Sequence, residues 1–558
     1  MDTDTGRLPL RQLSTWKTAL SPKLARSGAS CRHWITCGVA HSAGLQLQVS
    51  LRAPLQLLRL CVKAVTQFGV LICAAFERGR SAYVLLQIIC EERQMSQTNT
   101  DARAAAGETR KRRRAKAAGG AGDKLLMGYR VEDTAPRMGF VDAPAPAANS
   151  GEPIWLDGEG HLITIAPTGA GKGRGGLIPN LLTYEGPAIV IDPKGEACRV
   201  TARRRREMGH KVHIIDPFGV VTENTDSLNP MDAFDIPGID PSALAMDVAK
   251  QLSGGGLSLK DPFWDIRGHD LAAGVISAVA STAEAKDRSL KKVRGYLKSD
   301  DTVYNLAVLL DTMGGKLHRF AYEEISSFLQ TEDRCRSGIH ATACSYFSVI
   351  GSDAAQKTVI SSSIDLRAVA RGEPMTIYLV VPPSKLASHA ALFRLWTSAL
   401  LSAVLSRESE LPKYRTLFAI DECAQLGDFS MLSMVYTLAR SYGVRVWAFF
   451  QDLAQIKRML PNEWQTVLTN AAGIQVFGVP NHLMASDLAH VLGDFGEDEL
   501  RQMDRGHLAL QMAGARGITA RRPDYLMDDM FSGAFDPHPM LAKRTVTRAK
   551  GYDWESRS

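Results

Sequence analysis

Cysteine is scarce, and it is scattered where it occurs. Nine thiols are spread over 558 residues: Cys31, Cys37, Cys61, Cys73 and Cys90 near the start, then Cys198, Cys335, Cys344 and Cys423. There is no CxxC pair and no adjoining histidine cluster. That argues against a zinc site and a disulfide framework, and it fits a reducing compartment. Long apolar runs are missing as well. The most apolar stretch, residues 64–76, is 13 long and contains Thr66 and Gln67, whereas a membrane-spanning helix needs about 20. A second piece, 83–90, is shorter, and neither has the order or flanks of a secretory signal. No transmembrane helix is expected. The body of the chain also lacks positive charge. The formal net charge is +7, but residues 1–130 hold 21 Lys/Arg against 8 Asp/Glu, leaving the remainder at −6. The body is therefore not a basic clamp for nucleic acid overall, and any DNA contact in it has to be local.

What is present centres on residues 162–176, LITIAPTGAGKGRGG. An apolar β-branched run, 162–165, feeds a turn of small residues ending in Lys172, and a helix-compatible segment follows. This is the strand, glycine loop and helix order of a phosphate-binding loop. Pro167, Thr168, Gly169, Ala170, Gly171 and Gly173 would form the cradle, with backbone N–H groups closing on phosphate oxygens and Lys172 reaching the β- and γ-phosphates. Two positions depart from GxxxxGK[ST]. Ala166 stands in place of the first glycine, and Gly173 in place of the magnesium-binding hydroxyl. A glycine-rich turn with a surface lysine is the plain alternative.

Around the loop the chain divides by composition and periodicity. Residues 1–94 do not read as a folded unit, and a start at Met95 would remove them. Residues 95–124 read as a basic flexible linker, with the run RKRRRAK at 110–116 able to meet DNA or anionic lipid. Residues 125–240 and 367–530 carry apolar strands alternating with helices, an α/β pattern with a parallel core. The segment 153–160 looks like a short hairpin leading into the phosphate loop. Between the two sheet segments, residues 241–366 show helical periodicity and few β-branched runs, which predicts an all-α insertion. Residues 507–512 are expected to be the last strand. The polar, proline-containing stretch after Gly517 is expected to be extended, with 531–558 as a C-terminal tail.

A second acidic site follows the strand 417–420. Asp421 at its end is placed to hold Mg2+, and Glu422 to polarise an attacking water. An N-cap for the next helix is the alternative use of such a pair. Arg440, at the end of the following helix, could act as a finger on a neighbouring subunit's nucleotide or simply cap that helix. Gln451, closing the next strand, could sense the γ-phosphate or be an ordinary strand-end polar residue.

APTGAGKG (166–173), IDPKGE (191–196), DPFWD (261–265), IDECAQLG (420–427) and FQDLAQI (450–456) together resemble TraG/VirD-type coupling proteins, across about residues 125–530. The resemblance implies a RecA-like P-loop domain with an inserted all-α domain that engages substrate. It further implies a hexameric ATPase that uses ATP and Mg2+ to export single-stranded DNA with relaxase proteins through a type IV secretion channel. Its ending GKG is shared by this loop. Asp192 and Lys194 fall in the family's second motif, near the nucleotide. The family usually begins with two membrane-spanning helices, and none is found here. The expected location is therefore peripheral, on the cytoplasmic face of the inner membrane with membrane contact through partners, and a cytosolic location stays open. Two other readings stay open: a coupling ATPase for protein effectors only, and a nucleotide-binding recruitment adaptor without turnover.

Overall fold

The computed structural model describes residues 121–131, 151–254, 261–407, 411–427, 429 and 431–538. All belong to one of the two units into which the chain divides, 109–558. The readings of 1–94, of the basic run 110–116 and of the tail beyond 538 lie outside the described residues.

Eleven strands form one sheet: β1 Leu125–Arg130, β2 Pro153–Leu156, β3 His161–Ile165, β4 Ala188–Ile191, β5 Lys211–Ile215, β6 Met375–Leu379, β7 Thr416–Ile420, β8 Val444–Phe450, β9 Ala471–Val476, β10 His507–Met512 and β11 Ile518–Arg521. Their order is β2-β1-β11-β10-β9-β3-β8-β7-β4-β6-β5. The strands from β9 to β5 pair in parallel, whereas β10, β11, β1 and β2 extend the β9 side antiparallel. The parallel strands are apolar on both faces, as a doubly covered sheet requires. Ile163, Ile189, Phe418 and Ala448 face one hydrophobic cluster, while Leu162, Val190, Leu417 and Trp447 face the other.

Among the described residues between β5 and β6 no strand interrupts the helices, as the periodicity predicted. Asp240 and Asp261 start two of them by accepting backbone N–H bonds, each followed by a proline at the first helical position, the arrangement that leaves no orphan donor there. The long helix Pro262–Thr282, which begins in the DPFWD motif, packs against Pro241–Ser253, Arg319–Leu329 and Asp333–Tyr346. Pro241–Ser253 also packs on Pro383–Leu405, so the insertion shares one continuous core with the sheet.

Three expectations need correction. Residues 153–160 do not form a hairpin into β3. β2 pairs with β1 at the sheet's far edge, and Gly158 and Gly160, at φ 121° and 150°, let the chain turn away towards β3. The linker does not run to 124. Gly122 O accepts from Glu185 N (2.7 Å) and buried Asp123 pairs with Arg415 (2.6 Å), because Arg415 just ahead of β7 and Arg445 on β8 supply partners. The chain after Gly517 is not an extended tail either. Four residues form β11 between β10 and β1, and the stretch to 538 folds back over the helices that follow β3 and β4, where Asp536 pairs with Arg203 and His538 with Glu196.

Candidate nucleotide site

The carboxyl ends of β3, β4, β7 and β8 lie side by side, where ligands bind in open α/β sheets. Ala166 N donates to Phe450 O (2.8 Å) and Ala166 is fully buried. The loop's first position thus still belongs to the strand, and its φ is not positive, so glycine is not needed there. Pro167 O then accepts from Ala170 N (3.0 Å), and Gly169 and Gly171 take φ 83° and 90°, the left-handed values that glycine adopts at least cost. Thr168 and Gly169 are exposed. The turn Gly173–Leu177 is π-helical and runs into the helix Ile178–Thr183. A Cβ on Gly173 would meet only Glu196 Oε1, at 3.8 Å, so the missing hydroxyl is not forbidden by space.

Lys172 reaches across to the end of β7. Its ammonium lies 2.9 Å from Asp421 Oδ1 and 2.7 Å from Glu422 Oε1, with all three side chains 11–14% exposed. Burial works against the charge on Lys172, but Asp421 and Glu422 outweigh it and its pKa rises. Burial likewise works against the Glu422 carboxylate, yet Lys172, Gln451 and Lys194 hold its pKa below the usual value. Gln451 Nε2 donates to Glu422 Oε2 (2.9 Å), while its own backbone N–H is fixed by Gln455 (2.8 Å). Among the described residues Glu422 is the one non-glycine residue with positive φ, at 54°. Strain of this kind persists where the surroundings over-determine it, often at functional sites. Among the described residues of the following turn, Asp421 takes only the adjacent Glu422 N–H, through Oδ1 (3.1 Å). Its N–H bonds Ile191 O (3.1 Å), and its carboxylate faces Lys172.

Asp192 is brought to the same edge but is occupied locally, accepting from Glu196 N (3.1 Å) and Cys198 N (2.8 Å) at the start of the helix Glu196–Glu207. Burial pushes its pKa up to about 7. Lys194 is exposed beside it. Arg440 is not brought to this site within the chain. It lies just ahead of β8, at the amino edge of the sheet, exposed and donating to Asn470 O.

The residues fit a magnesium nucleotide. Two carboxylates at a strand end supply hard oxygen ligands, and Mg2+ is commonly held by one or two carboxylates with phosphates and water. No cluster of three metal-ligating side chains is present among the described residues. Sequence reasoning missed Arg522. Its Nη1 donates to Ala170 O in the loop, and Arg174 pairs with Asp524 (Nε to Oδ1 2.6 Å). These partners lie 350 or more residues apart, and nothing local in the sequence marks them.

The chain is similar to the type IV secretion system-coupling protein VirD4 of Bartonella quintana, 26% identical over 306 residues that cover 54% of this chain and 47% of that protein. It is also similar to the conjugal transfer protein TraG of Agrobacterium fabrum, 27% identical over 305 residues, 54% and 45% of the two. The chain thus spans about half the length of the curated relatives it matches. In fold it is similar to the bacterial conjugative coupling protein TrwBdeltaN70, with a TM-score of 0.52 at 16% identity over 65% of this chain and 84% of that one. A solved form of TrwB is in complex with ADP and Mg2+. The model of one family, described as type IV secretory system conjugative DNA transfer, takes in residues 123–532, a span that holds both the loop and the acidic strand end, and the chain belongs to that family.

Proposed function

We propose that this chain is the ATP-hydrolysing coupling protein of a DNA-transfer system. In this reading it recruits single-stranded DNA with bound relaxase proteins and drives them through a type IV secretion channel. It works as a homo-hexamer at the cytoplasmic face of the inner membrane. The observation that carries the reading is the pairing of Lys172 with Asp421 and Glu422 at the carboxyl edge.

The N–H groups around Gly169 and Gly171 receive the phosphates, and Lys172 leaves the acids to follow the γ-phosphate. Asp421 is then free to hold Mg2+, directly or through water. Mg2+, when bound, offsets charge on the β- and γ-phosphates. With Lys172 gone, Glu422 Oε1 would be free to take a proton from the attacking water, while Gln451 fixes Oε2. Arg440, outside its own chain's site, suits a finger offered to a neighbouring subunit. Lys172 thus offsets one of the two acidic charges in the unliganded site and would give up its place beside Asp421 to the metal.

ATP hydrolysis by the full chain, with and without single-stranded DNA, tests the reading. Glu422→Gln should keep nucleotide binding and lose turnover by about 10^2-fold or more, and Lys172→Ala should lose both. Turnover that ignores DNA would favour protein effectors as cargo. Tight binding with no turnover would sink the motor in favour of an adaptor, the reading that Gly173 supports.

A further inference from the structure

We infer that Arg522 is a positioning residue for the phosphate loop, held in place by the strap that follows β11. The inference rests on the nucleotide-site reading above and adds a regulator of that site's shape. Three contacts meet on this side chain. Its guanidinium donates to the carbonyl of Ala170, between the two left-handed glycines of the loop. The same group lies where a side chain on Gly171 would be, with Nη1 2.5 Å from an ideal Cβ. Its Cγ and Cδ lie 2.5 Å from an ideal Cβ on Gly175. Both glycines therefore give Arg522 room to lie flat against the loop.

The strap is itself tied down. Asp524 accepts from Arg174 at the first turn after the loop and from Leu526 N (3.1 Å). Asp528 accepts from Asp524 N (2.9 Å) and from Arg521 (2.8 Å). Arg522 N donates to Gly506 O (2.7 Å), which ties the strap to the start of β10. Partial burial against the loop lowers the pKa of Arg522.

A loop that receives phosphate must turn its N–H groups inward, which turns carbonyls outward. A fixed donor on the Ala170 carbonyl holds that orientation before nucleotide arrives and lowers the ordering cost of binding. Arg522 acts on affinity through the loop, without touching the reacting atoms.

The test uses the full chain and four variants: Arg522→Ala, Arg522→Lys, Gly175→Ala and the double variant Arg522→Ala/Gly175→Ala. Hydrogen exchange of the loop peptide without nucleotide should be about tenfold faster in Arg522→Ala, as expected for a lost charge-assisted bond. KM for ATP should rise about tenfold with kcat within about twofold, and Arg522→Lys should recover part of both. Gly175→Ala, a change that favours helix by propensity, should nonetheless reproduce the Arg522→Ala effects. The double variant should be no worse than either single one. Unchanged loop exchange in Arg522→Ala, or a loss confined to kcat, would overturn the inference. If the wild-type chain shows no turnover the motor reading fails, and loop exchange still decides the role of Arg522.

Discussion

His161 opens β3 at the end opposite the phosphate loop, and it is fully buried. Its Nδ1 accepts from Val446 N (3.1 Å), which requires the neutral Nε2–H tautomer. Burial, with Arg440 and Arg445 nearby, pushes its pKa down to about 3. A depressed folded-state pKa gives stability that is present above the ordinary value near 6.5 and lost as pH falls towards 3. Unfolding by urea at pH 7 and pH 5 should therefore show a loss of about 2 kcal/mol attributable to this group. His161→Gln should remove most of that difference. The same scale shows what the sequence could reveal. Lys172 was legible from the glycine loop it closes, and Asp421, Glu422 and Gln451 because they directly follow apolar strands, whose ends parallel pairing brings together. Asp192 was legible as a member of the site, though not as the cap of its own helix. Arg522 had no such pattern, because its role depends on a return of the chain over 350 residues away.

At the scale of elements, the antiparallel extension is held by a polar relay that no hydrophobic pattern announces. Trp447 Nε1 on β8 donates to Thr164 Oγ1 on β3 (2.7 Å), and Thr164 donates to Gln475 Oε1 on β9 (2.9 Å). Gln475 Nε2 then donates to Met127 O on β1 (2.8 Å). Asn180, in the helix after the loop, grips the same strand through Leu126 N (2.6 Å) and Leu126 O (2.9 Å). β1 is thus fastened across the face of the parallel strands as well as along its edges. Gln475→Leu would strand the Met127 carbonyl and the Thr164 hydroxyl. It should cost about 2–4 kcal/mol, read as a lower urea midpoint with an unchanged slope. The helical insertion and the parallel strands were visible in periodicity. β11 was not, since four residues with polar neighbours carry too little pattern, and its pairing is decided by β10 and β1.

The whole molecule has two working edges. The carboxyl edge gathers the candidate nucleotide residues, and the amino edge gathers Arg440 and Asp123, ahead of β1. There Asp123 pairs with Arg415, immediately before β7, and Asp123 O accepts from Arg445 Nη1 (2.7 Å) on β8. Asp123→Ala would leave a buried guanidinium without its partner and should cost about 3–5 kcal/mol in chemical denaturation. This attachment also makes the sheet a mechanical link. A pull applied at Asp123 would be delivered to the first residues of β7 and β8, and the far ends of those strands carry Asp421, Glu422 and Gln451. In the motor proposed above, turnover and traction would be one degree of freedom, with β7 and β8 as the rods between them.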